Sequence, residues 1–421
     1  MNPTQKKQIF SWALYDWANS AYSTTVMAGF FPIFFKKYWS DGADAIVTTA
    51  RLGTVISLSS LAIALLSPTL GVIADLKGFK KLFCLLFMAV GVISCAWMGF
   101  IPMGDWINAM IAYGIAMMAF NASSVFYDSL LPYVAHGRHM DYASSLGYSL
   151  GYLGGGVLFL VNVLMYLFPA TFGLPDGVTA IKLSFVSVAI WWLVFSYPLA
   201  KNVPEPEVPP SAHGIWQLTQ ESLRTLVQTL KKLVHEKNLL IFMMAYWLYI
   251  DGVYTVMTMA VDYGISIGFE AKDLIAALLI TQFIGFPCAY YFGTITRRWG
   301  TRGPILFCIA MYAITVVAAT MMSQPWHFYG LATVIGMFQG GVQSLSRSMF
   351  GRMIRKEESG EYFGLFNLVG RFASIFGPLV VAVGVTVTGS SRLGMMGLLC
   401  LFILGGLLLA AVKEPSRADH E

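Results

Sequence analysis

Apolar residues recur in blocks of roughly 20, the length a helix needs to cross a hydrocarbon core about 30 Å thick. The blocks fall at 9–35, 53–74, 82–101, 107–131, 144–168 and 179–200, then at 239–262, 274–293, 304–322, 328–346, 362–387 and 393–412. Twelve spans in two sets of six predict an all-α polytopic membrane protein: an N-terminal six-helix bundle over 1–200, a linker over 201–238, and a C-terminal six-helix bundle over 239–421. The linker opens with Pro204, Pro206, Pro209 and Pro210. It continues with Leu223, Leu226, Val227, Leu230, Leu233 and Val234 at steps of three and four, among Arg224, Lys231, Lys232 and Lys237. That spacing predicts an amphipathic helix on the membrane surface, tying the halves together.

Composition agrees with the pattern. Of 421 residues 57% are hydrophobic and 12% charged, where a soluble domain carries about 25% charged residues; a water-soluble globular chain is excluded. So much apolar residue at a net charge of +5 is also the opposite of the disordered signature, and so small an excess gives nucleic acid no support as a partner. The five cysteines, Cys84, Cys95, Cys288, Cys308 and Cys400, lie inside apolar runs without CxxC spacing and predict neither disulfides nor a metal site. The first apolar run contains Asp16 and continues to Phe35, unlike a signal-peptide core, so it is expected to remain as the first span. With the N-terminus inside, inner segments hold 20 Lys and Arg and outer segments 6. Both termini are therefore expected in the cytoplasm.

The two halves repeat one another. Gly71, Asp75, Gly78 and Lys80 follow the second span, and Gly293, Arg297, Gly300 and Arg302 follow the eighth, both spaced G-x3-[D/R]-x2-G-x-[K/R] and offset by 222 residues. Gly114 with Gly336, and Asn121 with Gln343, keep the same offset. A register held across separate helices predicts duplication and two pseudo-symmetric bundles.

Gly71, Asp75, Gly78, Lys80 and Lys81 resemble the loop motif of the major facilitator superfamily, departing at Leu76, where a basic residue is usual and Lys77 stands next to it. The first span, Trp12-Ala-Leu-Tyr-Asp16-Trp-Ala-Asn19-Ser-Ala-Tyr22 with Pro32 beyond, resembles the signature of the autophagy-protein-22-like branch, named for vacuolar amino-acid effluxers of fungi. So do the glycines Gly147, Gly151, Gly154, Gly155 and Gly156, and Tyr249-x-Asp251-Gly252-Val253. The resemblance spans nearly the whole chain. It implies the major facilitator fold, with helices one, four, seven and ten lining a central cavity, in a bacterial inner (plasma) membrane protein that works as a monomer in the lipid bilayer.

An ionisable side chain at membrane depth costs about 2.5–3.5 kcal/mol or more, so each needs a function or a partner. The candidates are Asp16, Asp128, Asp251, Asp262 and Arg371. Asp16, Asn19, Ser20, Ser23 and Thr24 form one stripe on the first span, and Asp251, Tyr254, Thr255, Thr258 and Asp262 repeat it on the seventh. Gln339, Gln343, Ser346 and Arg347 share a face of the tenth span, and Asn367, Arg371 and Ser374 one of the eleventh. Lipid offers such stripes no partner, so they face protein or water. Asp262 is expected to be solvated near an end of its span.

Asp16 and Asp251 are the expected ion-coupling carboxylates. Tyr15, Asn19, Tyr22, Asn121, Trp247, Tyr254, Gln343 and Arg371 are the expected solute-binding set, with the Arg371 guanidinium suited to a carboxylate or phosphate. Gly71, Asp75, Gly78, Lys80 and Lys81 form the expected gating motif. Asp128 would join its charge network, as the superfamily often places an acid there. The glycines of the fifth span are expected to permit close helix approach.

Gly147-x-Ser149-x-Gly151 matches a nucleophile elbow but lies in continuous helix, with no strand before it and no membrane histidine to activate the serine. No enzyme, cofactor or metal motif stands elsewhere. The expected function is secondary active transport of a small polar or zwitterionic, amino-acid-like solute by alternating access, coupled to protons. Sodium coupling, passive facilitation of another amphipathic metabolite and a non-transporting receptor remain as alternatives.

Overall fold

The structure, a computed structural model, describes residues 1–40, 43–137, 139–208, 224, 227–229, 231–266, 271–322 and 324–415. At 45, 46, 49, 64, 258–266, 271, 272, 274, 325, 371–375, 391 and 392 it describes the backbone alone. The described chain is helical throughout, without a strand. Helix α1 begins at Pro3–Ala21, capped by Asn2 on the Gln5 amide at 2.7 Å. It continues through a π-helical stretch Tyr22–Phe30 and the turns Phe31–Phe34 and Phe35–Trp39.

After it come α2 (Ala45–Lys77), α3 (Lys80–Met98), α4 (Trp106–Ser129), α5 (His139–Leu167) and α6 (Gly177–Asn202). The second half holds α7 (Lys237–Ser266), α8 (Ala271–Trp299), α9 (Arg302–Thr320), α10 (Pro325–Met353), α11 (Ser359–Thr388) and α12, which runs as Ser391–Met396 and Leu398–Ala411. Nine helical stretches among the described residues are long and apolar enough to cross a membrane. The first turns of α1 fall short of that standard with Lys6, Lys7 and Asp16, and α10 does so with Gln339, Gln343, Arg347 and Arg352.

Buried apolar side chains gather into two cores, one drawn from residues 9 to 203 and one from 239 to 412. In the first, α1 packs on α5 and α6, and α4 on α3; in the second, α7 packs on α11 and α12, and α9 on α10. The halves meet where α2 lies along α11 and α5 along α8 and α10. The start of α1, bonded at Ser11 to Asn202 at the end of α6, and the end of α12, bonded at Lys413 to Asn238 at the start of α7, mark one side, hereafter the terminal face. Of the linker, 227–229 and 231–235 are helical, with Lys232 reaching Glu358 at 3.4 Å. The rest of the expected amphipathic helix lies outside the described residues.

The duplicated loop motif is built the same way twice. Gly78 and Gly300 end α2 and α8 with φ of +69° and +76°, a left-handed turn that a side chain resists by about 1–2 kcal/mol. A Cβ would also stand 2.6 Å from the Pro206 carbonyl at Gly78 and 2.7 Å from the Glu414 carboxylate at Gly300. Gly78→Ala and Gly300→Ala are each expected to lower thermal stability by at least about 1–2 kcal/mol; an unchanged melting point in detergent would contradict this.

Beside each turn a glutamate seals the next helix. Glu205 accepts the amides of Lys81 and Leu82 at 2.7 and 3.0 Å, while Lys81 Nζ donates to the Val203 carbonyl at 2.9 Å. In the second half Glu414 accepts the amides of Thr301 and Arg302 at 2.7 and 3.3 Å, and Arg302 Nη1 donates to the Val412 carbonyl at 2.8 Å. Val203-Pro-Glu205-Pro and Val412-Lys-Glu414-Pro are thus a second internal repeat, V-x-E-P, at the ends of α6 and α12. Burial holds the Glu205 carboxyl above its usual range although both amides favour its charge.

Candidate functional site

Three polar clusters join the halves toward the terminal face. At the centre Arg347 of α10 crosses the seam and is held by the other half. Its Nη1 donates to Asp128 Oδ1 of α4 at 2.8 Å and its Nη2 to Asp16 Oδ2 of α1 at 3.3 Å. Nε and Nη2 also donate to the hydroxyl and carbonyl of Ser144 on α5 at 2.8 and 2.9 Å. The Tyr127 hydroxyl donates to Asp16 at 2.8 Å and Asn367 of α11 to Asp128 at 3.5 Å. Rings of Trp12, Tyr127 and Tyr148 lie 4.9, 5.4 and 4.4 Å from the guanidinium carbon, a distance at which a cation is attracted to an aromatic face. Only 3% of the Arg347 side chain is exposed, and 13% of each carboxylate. Gly147 makes the room, since a Cβ there would stand 2.5 Å from Asp16 Oδ2 and 3.1 Å from Arg347 Nη2.

Beside it Asp141 of α5 pairs with Arg352 of α10 at 2.5 Å, with side chains 1% and 0% exposed. Ser348 and Thr301 donate to the same carboxylate at 2.6 and 3.0 Å, and Arg352 Nη2 donates to Thr301 at 2.6 Å. Between the clusters Ser144 donates to the Ser344 carbonyl at 2.7 Å, small side chains that let α5 and α10 touch. On the other flank Asp75 of α2 accepts the amides of Gly360 and Glu361 at 2.9 and 2.8 Å and pairs with Lys80 at 2.5 Å. A carboxylate over the first turn of α11 meets unpaired amides and the positive end of the helix dipole. Gly71 lets the backbones of α2 and α11 meet at Gly360, and Gly364 stands against Pro68 in the same seam.

Toward the opposite face the contacts thin. Gln282 of α8 donates to Thr24 of α1, and the Ser149 hydroxyl to the Phe286 carbonyl at 2.8 Å. Nothing stands within 4 Å of a Cβ placed on Gly53 of α2. Among the described residues, the polar contacts that join the halves concentrate toward the terminal face.

The residues singled out from the sequence divide among these surroundings. Asp16 lies in the central cluster. Asp128 meets Arg347 and Asn367, whereas Asp75 turns to α11 and Lys80. Asp251 is 1% exposed and stays within its own half, accepting the Gly377 amide at 2.9 Å and the Thr255 hydroxyl at 3.4 Å. Gly377 precedes Pro378, which lies inside α11 and removes one backbone donor there.

Tyr15 and Tyr22 are fully buried in the first half, Tyr15 against Tyr127 and Tyr22 against Phe120 and Trp192, and Asn19 is buried beside them. Asn121 is 2% exposed with its Nδ2 unpartnered. Trp247 packs edge-on against Phe376; Tyr254 and Gln343 are half-buried. Arg371 and Ser374 lie on α11, and Thr258 and Asp262 on α7, with side chains outside the described residues. Gly151, Gly154 and Gly155 press α5 onto α1 at Ser20, Trp17 and Thr24.

The sequence puts Arg347 on a polar face and offers Arg371 as the substrate-gripping cation, counts Arg352 only toward the basic excess of its side, and draws no notice to Asp141, Glu205 and Glu414. The V-x-E-P repeat was the available signal for the last two.

A family profile described as "Vacuole effluxer Atg22 like" matches residues 4–420. The chain is 36% identical over 421 residues to the uncharacterized MFS-type transporter YxiO of Bacillus subtilis (strain 168), covering 98% of this chain and 96% of that one. It is 23% identical to autophagy-related protein 22 of Coccidioides immitis (strain RS), covering 100% of this chain and 89% of that one. Its fold is similar to the solved structure of the MFS proton:xylose symporter XylE bound to 6-bromo-6-deoxy-D-glucose, with a TM-score of 0.66 at 14% identity, over 98% of this chain and 96% of that one.

Proposed function

The chain belongs to the Atg22-like vacuole effluxer family of major facilitator transporters, and from that premise we propose proton-coupled transport of a small polar or zwitterionic, amino-acid-like solute, with Asp16, Asp128 and Arg347 as the coupling cluster. The observation that carries the proposal is a charge imbalance at the seam. Two carboxylates of one half hold a single guanidinium of the other, so the ionised cluster has one uncompensated negative charge in a site largely withdrawn from water. Burial penalises that charge, and one proton cancels it. A proton on Asp16 or Asp128 also removes one of the two anions gripping Arg347, which loosens the terminal face. Departure of the proton restores the grip. Loading, proton movement and the opening of one face are thereby linked, as alternating access requires.

A proton suits the cluster better than sodium. Sodium is a hard cation that needs several free oxygens, whereas Asp16 and Asp128 already accept from Tyr127, Arg347 and Asn367. The excess of Lys and Arg on the segments of the terminal face supports placing that face in the cytoplasm. Asp251, bonded inside its own half, serves the proposal as a support of α11.

The test is Asp16→Asn in proteoliposomes offered a panel of the twenty amino acids. Exchange across the membrane at equal pH is expected to persist, while accumulation driven by an imposed pH gradient falls at least about tenfold, the scale of losing one essential proton site. Gradient-driven accumulation as strong as in the parent chain would remove Asp16 from the scheme, and Asp251→Asn is the parallel test of the other acid.

A further inference from the structure

A groove of about 470 Å³ runs between α2 and α4 on the side away from the terminal face, walled by Val55, Leu58, Ile107, Ile111, Ile115 and Met118. Its position on α4 ties it to the seam. Ile107, Ile111, Gly114, Met118, Asn121 and Asp128 follow one another at steps of three, four and seven, which is one helix face, and the last of them meets Arg347 of the other half. The groove is therefore the outward continuation of the face of α4 that meets the second half at Asp128. The buried stripe Ala109, Ala112, Ala116 and Ala119 occupies another side of α4.

Its two ends are polar. At the mouth Arg51 lies 3.6 Å over the ring of Trp106, which lines the groove. No carboxylate among the described residues pairs with that guanidinium, and the neighbouring Asp105 is engaged in capping α4 through Asn108 at 3.3 and 2.7 Å. One turn past Met118, beyond the residues that line the groove, Asn121 is 2% exposed with its Nδ2 unpartnered. Helical side chains lean toward the helix N-terminus, the direction in which the groove lies from Asn121. A buried donor left unmade is costly, so an occupant with an acceptor there is favoured.

We propose that this groove is a substrate subsite and that the solute is an amphipathic anion: its acidic group under Arg51, its apolar body along Leu58, Ile107, Ile111 and Met118, its far end at Asn121. The inference rests on the transport reading above and narrows its substrate class to solutes with a sizeable apolar part.

The test uses the full chain in phosphatidylcholine nanodiscs, with octanesulfonate as probe because it stays anionic at any working pH. Octanesulfonate is expected to raise the melting temperature in a saturable way, while ethanesulfonate, which lacks the chain, and octyltrimethylammonium, which reverses the charge, do not. Arg51→Gln and Ile111→Trp, the second of which fills the groove from an exposed position, are each expected to weaken binding about tenfold or more, the scale of one charge-assisted contact or several buried methylenes. Equal binding of the cation, no dependence on chain length, or full affinity in both variants would overturn the proposal. Displacement of the probe when the disc contains phosphatidylglycerol would do so too, by giving the groove to a lipid headgroup. The outcomes separate the two readings. Ile111-dependent binding with no flux in proteoliposomes would sink transport and keep the subsite, and gradient-driven amino-acid flux without octanesulfonate binding would do the reverse.

Discussion

Arg347→Ala is expected to lower the stability of the closed seam by about 3–5 kcal/mol, the usual result of removing one partner from a buried ion pair. The change leaves Asp16 and Asp128 facing each other with, among the described residues, the Tyr127 hydroxyl and the Asn367 amide to answer them. It also empties the space beneath Trp12, Tyr127 and Tyr148. Thermal unfolding in detergent should show the loss, and a cysteine placed at Ser344, buried in the seam, should become reactive to thiol reagents from the terminal face. Neutralising both acids as well, in Asp16→Asn/Asp128→Asn/Arg347→Ala, is expected to recover much of the stability, because no unpaired charge then remains. A triple variant no more stable than Arg347→Ala would mean that packing, and not charge, holds this seam. Arg347→Lys keeps the charge without the fork that reaches Asp16, Asp128 and Ser144 together, so it should fall between.

Asp141→Ala carries the second large expectation, again about 3–5 kcal/mol, because Arg352 is left fully buried with Thr301 as its hydrogen-bond acceptor and the Ser348 hydroxyl loses a partner. Asp141→Leu/Arg352→Met should be far less damaging, since a buried pair exchanged for apolar residues of similar volume is often neutral. If the double variant melts with the parent chain yet transports poorly, the pair serves the switching of faces more than the folding of either half. A double variant as unstable as Asp141→Ala would show that Thr301 and Ser348 depend on the carboxylate itself.

The sequence made the two bundles legible because lipid imposes a length on every span, and because the loop motif repeats at a constant offset. Its blind spot was systematic. The hydropathy rule ends a span where charges begin, so it placed the fifth span at 144–168 and the tenth at 328–346, while the helices run His139–Leu167 and Pro325–Met353. Asp141 and Arg352 stand in those overhangs, where they look like loop charges, and Arg347 stands at the very edge of its span. Spacing along one helix also says nothing about the partner across the seam. Arg347 and Asp16 are 331 residues apart, and no periodicity separates that pairing from one between Asp16 and Arg371. Asp251 shows the same limit, since its stripe marked a protein-facing side of α7 and left open that the facing protein is α11.

That last contact bears on how the second half moves. The Asp251 carboxylate holds the Gly377 amide at the joint before Pro378, and a Cβ on Gly377 would stand 2.8 Å from that carboxylate, so the two backbones are geared tooth to tooth at this level. Any bend of α11 at this level would pull on α7 through that bond, so the two helices are expected to turn as a single crank.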